Sequence, residues 1–165
     1  MTISTGTERE ALCGFLDRQR AALLRKIEDL TDEDARRVPT ASSMSLLGLL
    51  KHSAFWERRW FQIIMAGRRF PGEWPEDGLS EEEMDAEDFR VDERDTVARW
   101  VAFYNEQVAI SRQITADLDL ETHCEFPEVA DRNLRYVLLH MIEETARHAG
   151  HADIMRESID GSRGI

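Results

Sequence analysis

Apolar residues recur along the chain at intervals of three and four, and four stretches keep that interval long enough to be read as helices. From Glu8 to Leu30, the residues Leu12, Phe15/Leu16, Leu23, Ile27 and Leu30 form one face, with Arg and Asp between them. Thr31 with Asp34 reads as a short capping turn, Pro39 stops any continuation, and Ser42, Ser43 and Ser45 offer N-caps for the second helix. That helix, SLLGLLKHSAFWERRWFQIIMAG, begins near Ser45 and ends at Gly67, a residue type suited to a helix C-terminus. Leu49, His52, Trp56 and Ile63 share its buried face, while Lys51, Arg58 and Gln62 fall elsewhere on the wheel. The third helix runs from about Asp92 to Leu118 on a seam of Val97, Trp100/Val101, Tyr104, Gln107/Val108, Ser111, Ile114 and Leu118. After a loop from Asp119 to Arg132, Asp131 or Asn133 caps the fourth helix, which ends before Gly161. Its seam is Val137, Met141, Glu144/Thr145, His148, Ala152 and Met155.

Between the second and third helices, Pro71, Gly72, Pro75 and Gly78 space out Phe70, Trp74, Leu79 and Met84, the pattern of an irregular connection lying across a bundle. Ser80 and Glu83 match a capping box and predict a short helix there. The acids Glu81, Glu82, Glu83, Asp85, Glu87, Asp88, Asp92, Glu93 and Asp95 read mostly as a solvated face and are not assigned to a metal. The expected fold is therefore all-α: a four-helix bundle with a long irregular connection between helices two and three, one domain over residues 1–165.

Composition narrows the function. Hydrophobic residues make up 42% and charged residues 33%, which suits a helical globule and opposes disorder. No apolar run approaches the roughly 20 residues that cross a bilayer, and MTISTGTEREAL has neither a basic start nor an apolar signal core, so a cytoplasmic location is expected. A formal net charge of -12 opposes general binding to nucleic acid or anionic lipid. Cys13 and Cys124 lack a CxxC partner, which argues against a disulfide framework or structural zinc. Cys13 reads as a small core residue, and Cys124 as a loop cysteine that could be a reactive thiol. No glycine-rich phosphate loop is present.

The chemistry concentrates in HMIEETARHAGHADIMRE, His140 to Glu157. Glu144 and His148, four apart, leave one face one turn apart within an otherwise apolar or small stripe. An unpaired carboxylate is costly to bury, so Glu144 should be exposed, protonated, paired or bound to a metal. His52, inward-facing on helix two, is either a hydrogen-bonded core residue or the third partner. His52, Glu144 and His148 together supply two nitrogens and one carboxylate oxygen, the donor set of an open catalytic zinc site, and one that nickel, iron or manganese also accepts. His140 and His151 lie one turn to either side; each could replace a ligand, orient one, or act as acid or base. Glu143 should project off the seam. Arg147 either clamps a substrate carboxylate or pairs with Glu143 or another nearby acid, and Gln107 and Ser111 could be polar pocket groups or seam-edge residues.

SLLGLLKHSAFWERRWF and HMIEETARHAGHADIMRE with the following SIDG resemble the DinB-like metalloenzyme superfamily, in particular its actinobacterial branch related to mycothiol-dependent transferases. The resemblance covers nearly the whole chain. The superfamily pattern has one histidine on helix two and two histidines four apart on helix four; Glu144 stands at the first of those two positions, a swap also found among the mycothiol-dependent isomerase relatives. The resemblance implies a four-helix bundle, a divalent metal, frequent dimerisation and a low-molecular-weight thiol such as mycothiol or bacillithiol as co-substrate. A homodimer also fits the large apolar groups around Trp56, Trp60 and Trp74, which could equally all be core. The leading expectation is a metal-dependent thiol S-transferase or isomerase-like enzyme acting on a small electrophile. A metal hydrolase on the same scaffold and a non-catalytic bundle that binds a metal or small ligand are the alternatives.

Overall fold

The structure, a computed structural model, describes residues 6–163. Helix α1 spans Glu8–Arg25 and α2 spans Asp32–Arg36. Helix α3, Leu46–Arg58, passes without a break into a π-helical segment, Arg59–Met65. Then come α4, Glu81–Phe89; α5, Val97–Asp117; a 3-10 turn, Pro127–Val129; and α6, Leu134–Asp160. The four long elements form the expected bundle: α1 packs along α6 and α3 along α5, with α3 also against α6. No strand occurs among the described residues, and no helix there is long and apolar enough to cross a membrane.

Local chemistry accounts for the starts. Thr7 and Glu10 close a capping box at α1, Ser80 and Glu83 close another at α4, and Ser45, Thr96 and Asn133 each accept from a backbone N–H in the first turn of α3, α5 and α6. Gly161 ends α6 at φ 77, in the left-handed region that glycine enters without a Cβ penalty. Helix α1 stops earlier than its apolar pattern predicts: Lys26 is its C-cap, and Ile27 reaches the core from a turn that carries Asp29 at φ 61.

The π-helical segment is the larger departure from the sequence expectation. Its wider turn inserts an extra residue and rotates the helix beyond it, so Gln62, expected off the core face, is only 2% exposed. Gln62 donates to Gln107 Oε1 at 2.7 Å and accepts from Arg68 at 3.2 Å, so the buried amide is partnered. All seven residues from Arg59 to Met65 are buried. The loop before α6 covers the segment's end, where the N–H groups of Glu125 and Phe126 donate to the carbonyls of Met65 and Ile64 at 3.3 and 3.1 Å.

Helix α4 crosses α3 at Gly48, where a Cβ would lie 2.5 Å from the Phe89 carbonyl oxygen. Lys51 Nζ donates to the carbonyls of Glu87 and Arg90 at 3.0 and 2.6 Å and so caps the far end of α4. Met84 and Asp88 are thereby buried. The irregular connection also brings Trp74 against the Phe126 ring, with centroids 5.0 Å apart.

Candidate metal centre

His52 and His148 meet where α3 crosses α6. Their ring centroids are 5.0 Å apart, edge to face, and Phe89 stacks on His52 at 4.1 Å. Both histidines are buried. Burial, followed by the neighbouring His148 and Arg59, pushes the His52 pKa down to about 2. Burial, followed by His151 and Arg147, lowers that of His148 to about 4. Both imidazoles are therefore neutral at neutral pH, each with one lone-pair nitrogen available.

Ser53 is the hydrogen-bond partner of His148 Nδ1. Its hydroxyl donates to the Leu49 carbonyl at 2.8 Å, which leaves Oγ as an acceptor for His148 Nδ1–H at 3.4 Å. The hydrogen-bond network thus assigns the lone pair to Nε2, which faces Glu144 Oε2 at 3.9 Å, too far for a hydrogen bond. Two acceptors face each other, an arrangement suited to a cation between them. The second Glu144 oxygen accepts from Arg147 at 2.6 Å, and Arg147 also reaches Glu143 at 3.1 Å. Arg147 therefore forms the ion pair expected with Glu143, and in addition holds Glu144.

The acidic stretch corrects the sequence expectation. Asp88 is not on a solvated face: it is 4% exposed, and both of its oxygens accept from Arg59. Burial raises the Asp88 pKa, and Arg59 pulls it back. Asp88 Oδ2 lies 3.7 Å from His52 Nδ1 and Asp85 Oδ1 lies 3.9 Å from it, while Nδ1 itself is buried with no hydrogen-bond partner. Among the described residues, His52, Asp85 and Asp88 are the group whose ligand atoms all lie within 4.8 Å of one another and could hold a metal ion; His52, Glu144 and His148 do not come together as closely. Asp95 is also buried, accepting from Trp100 Nε1 at 2.8 Å. The sequence signal was available: Met84, Asp85, Asp88 and Phe89 share one face of α4, mixing two acids with two large apolar groups.

The remaining candidates divide. His140 packs on Trp60 with centroids 4.1 Å apart, its Nε2 unpartnered and its pKa lowered chiefly by burial. The His151 ring is 6.5 Å from that of His148, and its Nδ1 is unpartnered. Gln107 and Ser111 are buried in helix packing, with Ser111 Oγ donating to the Gln107 carbonyl at 3.0 Å. Cys124 is buried and burial pushes its thiol pKa up, the opposite of what a reactive cysteine needs. Cys13 is only half-buried, not a core residue.

Beside His52 opens a cavity of about 530 Å³, walled by Trp56, Trp60, Ile64, Trp74 and Phe126, with Asp85, Arg59 and Arg132 among its polar groups. Trp56, Trp60 and Trp74 all line this cavity.

Comparison with known proteins agrees with the helical fold. No curated protein matches the chain. A solved structure, described as the conserved protein of locus from Enterococcus faecalis, is similar in fold, with a TM-score of 0.69 at 14% identity over 94% of this chain and 99% of that one. Residues 11–161 match the family model described as mycothiol-S-transferase. With nearly all of its helical bundle inside that match, the chain belongs to the mycothiol-S-transferase family.

Proposed function

We propose that this protein is a divalent-metal-dependent enzyme that joins a low-molecular-weight thiol of the mycothiol type to a small electrophile, with His52, Glu144 and His148 as the metal ligands. The observation that carries this reading is Nε2 of His148 facing the Glu144 carboxylate at 3.9 Å, with the neutral His52 ring beside it. Two neutral imidazoles and one carboxylate fit zinc best, with nickel, iron and manganese also compatible. A divalent ion held there would lower the pKa of a bound thiol, making thiolate available near neutral pH.

The chain's own residues supply the rest. Ser53 holds the His148 tautomer, as outer partners of metal-binding histidines do. Asp88, fixed by Arg59, and Asp85 lie against the Nδ1 side of His52, leaving Nε2 for the ion. In a transfer, the thiol loses its proton to a base, sulfur bonds to the electrophilic carbon, and the leaving group departs with a proton. His140 and His151 are the bases in reach of this surface of α6. The neutral ring of His140 can take up a proton.

A second ligand set, His52 with Asp85 and Asp88, is favoured by the closeness of its donor atoms. Arg59 weighs against it, because its guanidinium already neutralises Asp88 and a cation would have to compete. The test is turnover by zinc-loaded protein with mycothiol and an alkyl halide. Thioether formation that requires both metal and thiol supports transfer. Ester or amide cleavage without added thiol would replace it with the hydrolase alternative.

A further inference from the structure

We propose that the cavity beside His52 binds the electrophile and selects a flat aromatic molecule carrying a carboxylate, with the ring between the tryptophans and the carboxylate on Arg132. The designation as electrophile rests on the thiol-transfer reading; the binding specificity does not. At about 530 Å³ the space is of a size for a small organic ligand. Three indoles and Phe126 in its wall offer faces for offset stacking, which a flat π-system uses better than an aliphatic chain.

The wall does not favour a neutral hydrocarbon. The indole N–H groups of Trp56 and Trp60 are buried without acceptors, so a ligand oxygen that reached either would satisfy a donor without breaking an existing hydrogen bond. Of the two arginines, Arg59 is committed to Asp88. Arg132 lies over the Tyr136 ring at 4.5 Å, with no carboxylate partner among the described residues. A guanidinium stacked on an aromatic ring keeps its fork of N–H donors in one plane, suited to a carboxylate. Asp85, beside His52, and the exposed Glu128 also line the cavity, so the ligand carboxylate has to sit at the Arg132 side of the wall. In a chain of net charge -12, long-range attraction does not bring anions to this site; a local cation has to.

The π-helical segment builds the site. It places Arg59, Trp60 and Ile64 in the cavity wall, consistent with the frequent use of π-turns at functional sites. The backbone of Arg132 is held independently of its side chain: its N–H donates to Val129 O at 3.0 Å, and its carbonyl accepts from Cys124 at 2.9 Å. Replacing the side chain therefore leaves the loop anchored.

The test is binding of two unreactive probes, 2-naphthoate and its neutral analogue 2-naphthamide, read by tryptophan quenching and calorimetry on metal-free, thiol-free protein. Naphthoate should bind more tightly than the amide and lose about tenfold or more in affinity in Arg132→Gln, while amide binding is retained. Trp74→Ala should weaken both. Equal affinity for the two probes, naphthoate affinity unchanged in Arg132→Gln, or no binding of either probe would overturn the proposal. Binding as expected without thiol transfer would sink the catalytic reading and leave the cavity's specificity standing. Transfer to aliphatic electrophiles with no naphthoate binding would do the reverse.

Discussion

Ser53 holds His148 across the interface of α3 and α6: its hydroxyl donates to Leu49 O at 2.8 Å and faces His148 Nδ1 at 3.4 Å. The residue next to one proposed ligand thus sets the orientation of another. Ser53→Ala should keep the fold, since the bond the hydroxyl donates stays within its own helix, but lower metal affinity about 10–100-fold. Competition with a chromogenic chelator measures this, and an unchanged affinity would mean that Ser53 does not orient the ring.

Arg147 acts in the opposite sense. Its ion pair with Glu144 at 2.6 Å competes with any cation for the carboxylate. Arg147→Ala should raise metal affinity several-fold. As its side chain is about half exposed, folding stability should stay within about 0.5 kcal/mol. A drop in metal affinity would instead show that the arginine helps to place Glu144.

Acid should destabilise the metal-free protein through its histidines. The folded pKa of His148, about 4, lies below its ordinary 6.5, so the unfolded chain protonates first. The stabilising difference is complete above about pH 6.5 and is lost as pH falls toward the folded value, with His52 extending the loss to lower pH. Asp88, whose pKa burial raises, works in the opposite sense, so the histidine effect is best read between about pH 7.5 and 5.5. The urea midpoint should fall over that interval and fall less in His148→Gln. A flat midpoint would contradict the burial of neutral rings.

Far from the site, Arg20 on α1 and Glu57 on α3 form a buried ion pair, with Glu57 0% exposed. Glu57→Ala should cost about 3–5 kcal/mol by stranding the guanidinium, and the double replacement Arg20→Met with Glu57→Leu should recover most of it. Urea unfolding measures both; a single-mutant loss below about 1 kcal/mol would show that Asp17, 2.9 Å away, suffices as partner.

These contrasts mark what a single sequence discloses. Helix periodicity and caps are local, so Ser45, Ser80 with Glu83, and Gly161 could be read directly. His52 and His148 were legible as inward positions because a 3.6-residue repeat survives across each helix. The π-helical turn was not, because one inserted residue breaks that repeat and depends on the Glu125–Phe126 backbone covering Ile64 and Met65. Asp88 reads as solvated, and Asp85 as unassigned to a metal, because the charge run hides their shared face. Their approach to His52 depends on the close crossing at Gly48, a tertiary contact. The partnering of Gln62 with Gln107 follows from the same rotated turn.

The central claim is the ligand set, and elemental analysis of tag-free protein tests it most directly, with His52→Ala, Glu144→Ala and His148→Ala beside Asp85→Ala and Asp88→Asn. The account predicts near-stoichiometric divalent metal in the unaltered protein, loss in each of the first three variants, and retention in the two aspartate variants. Metal retained in Glu144→Ala but lost in the aspartate variants would move the ion to His52, Asp85 and Asp88, and metal retained in all five would contradict both assignments.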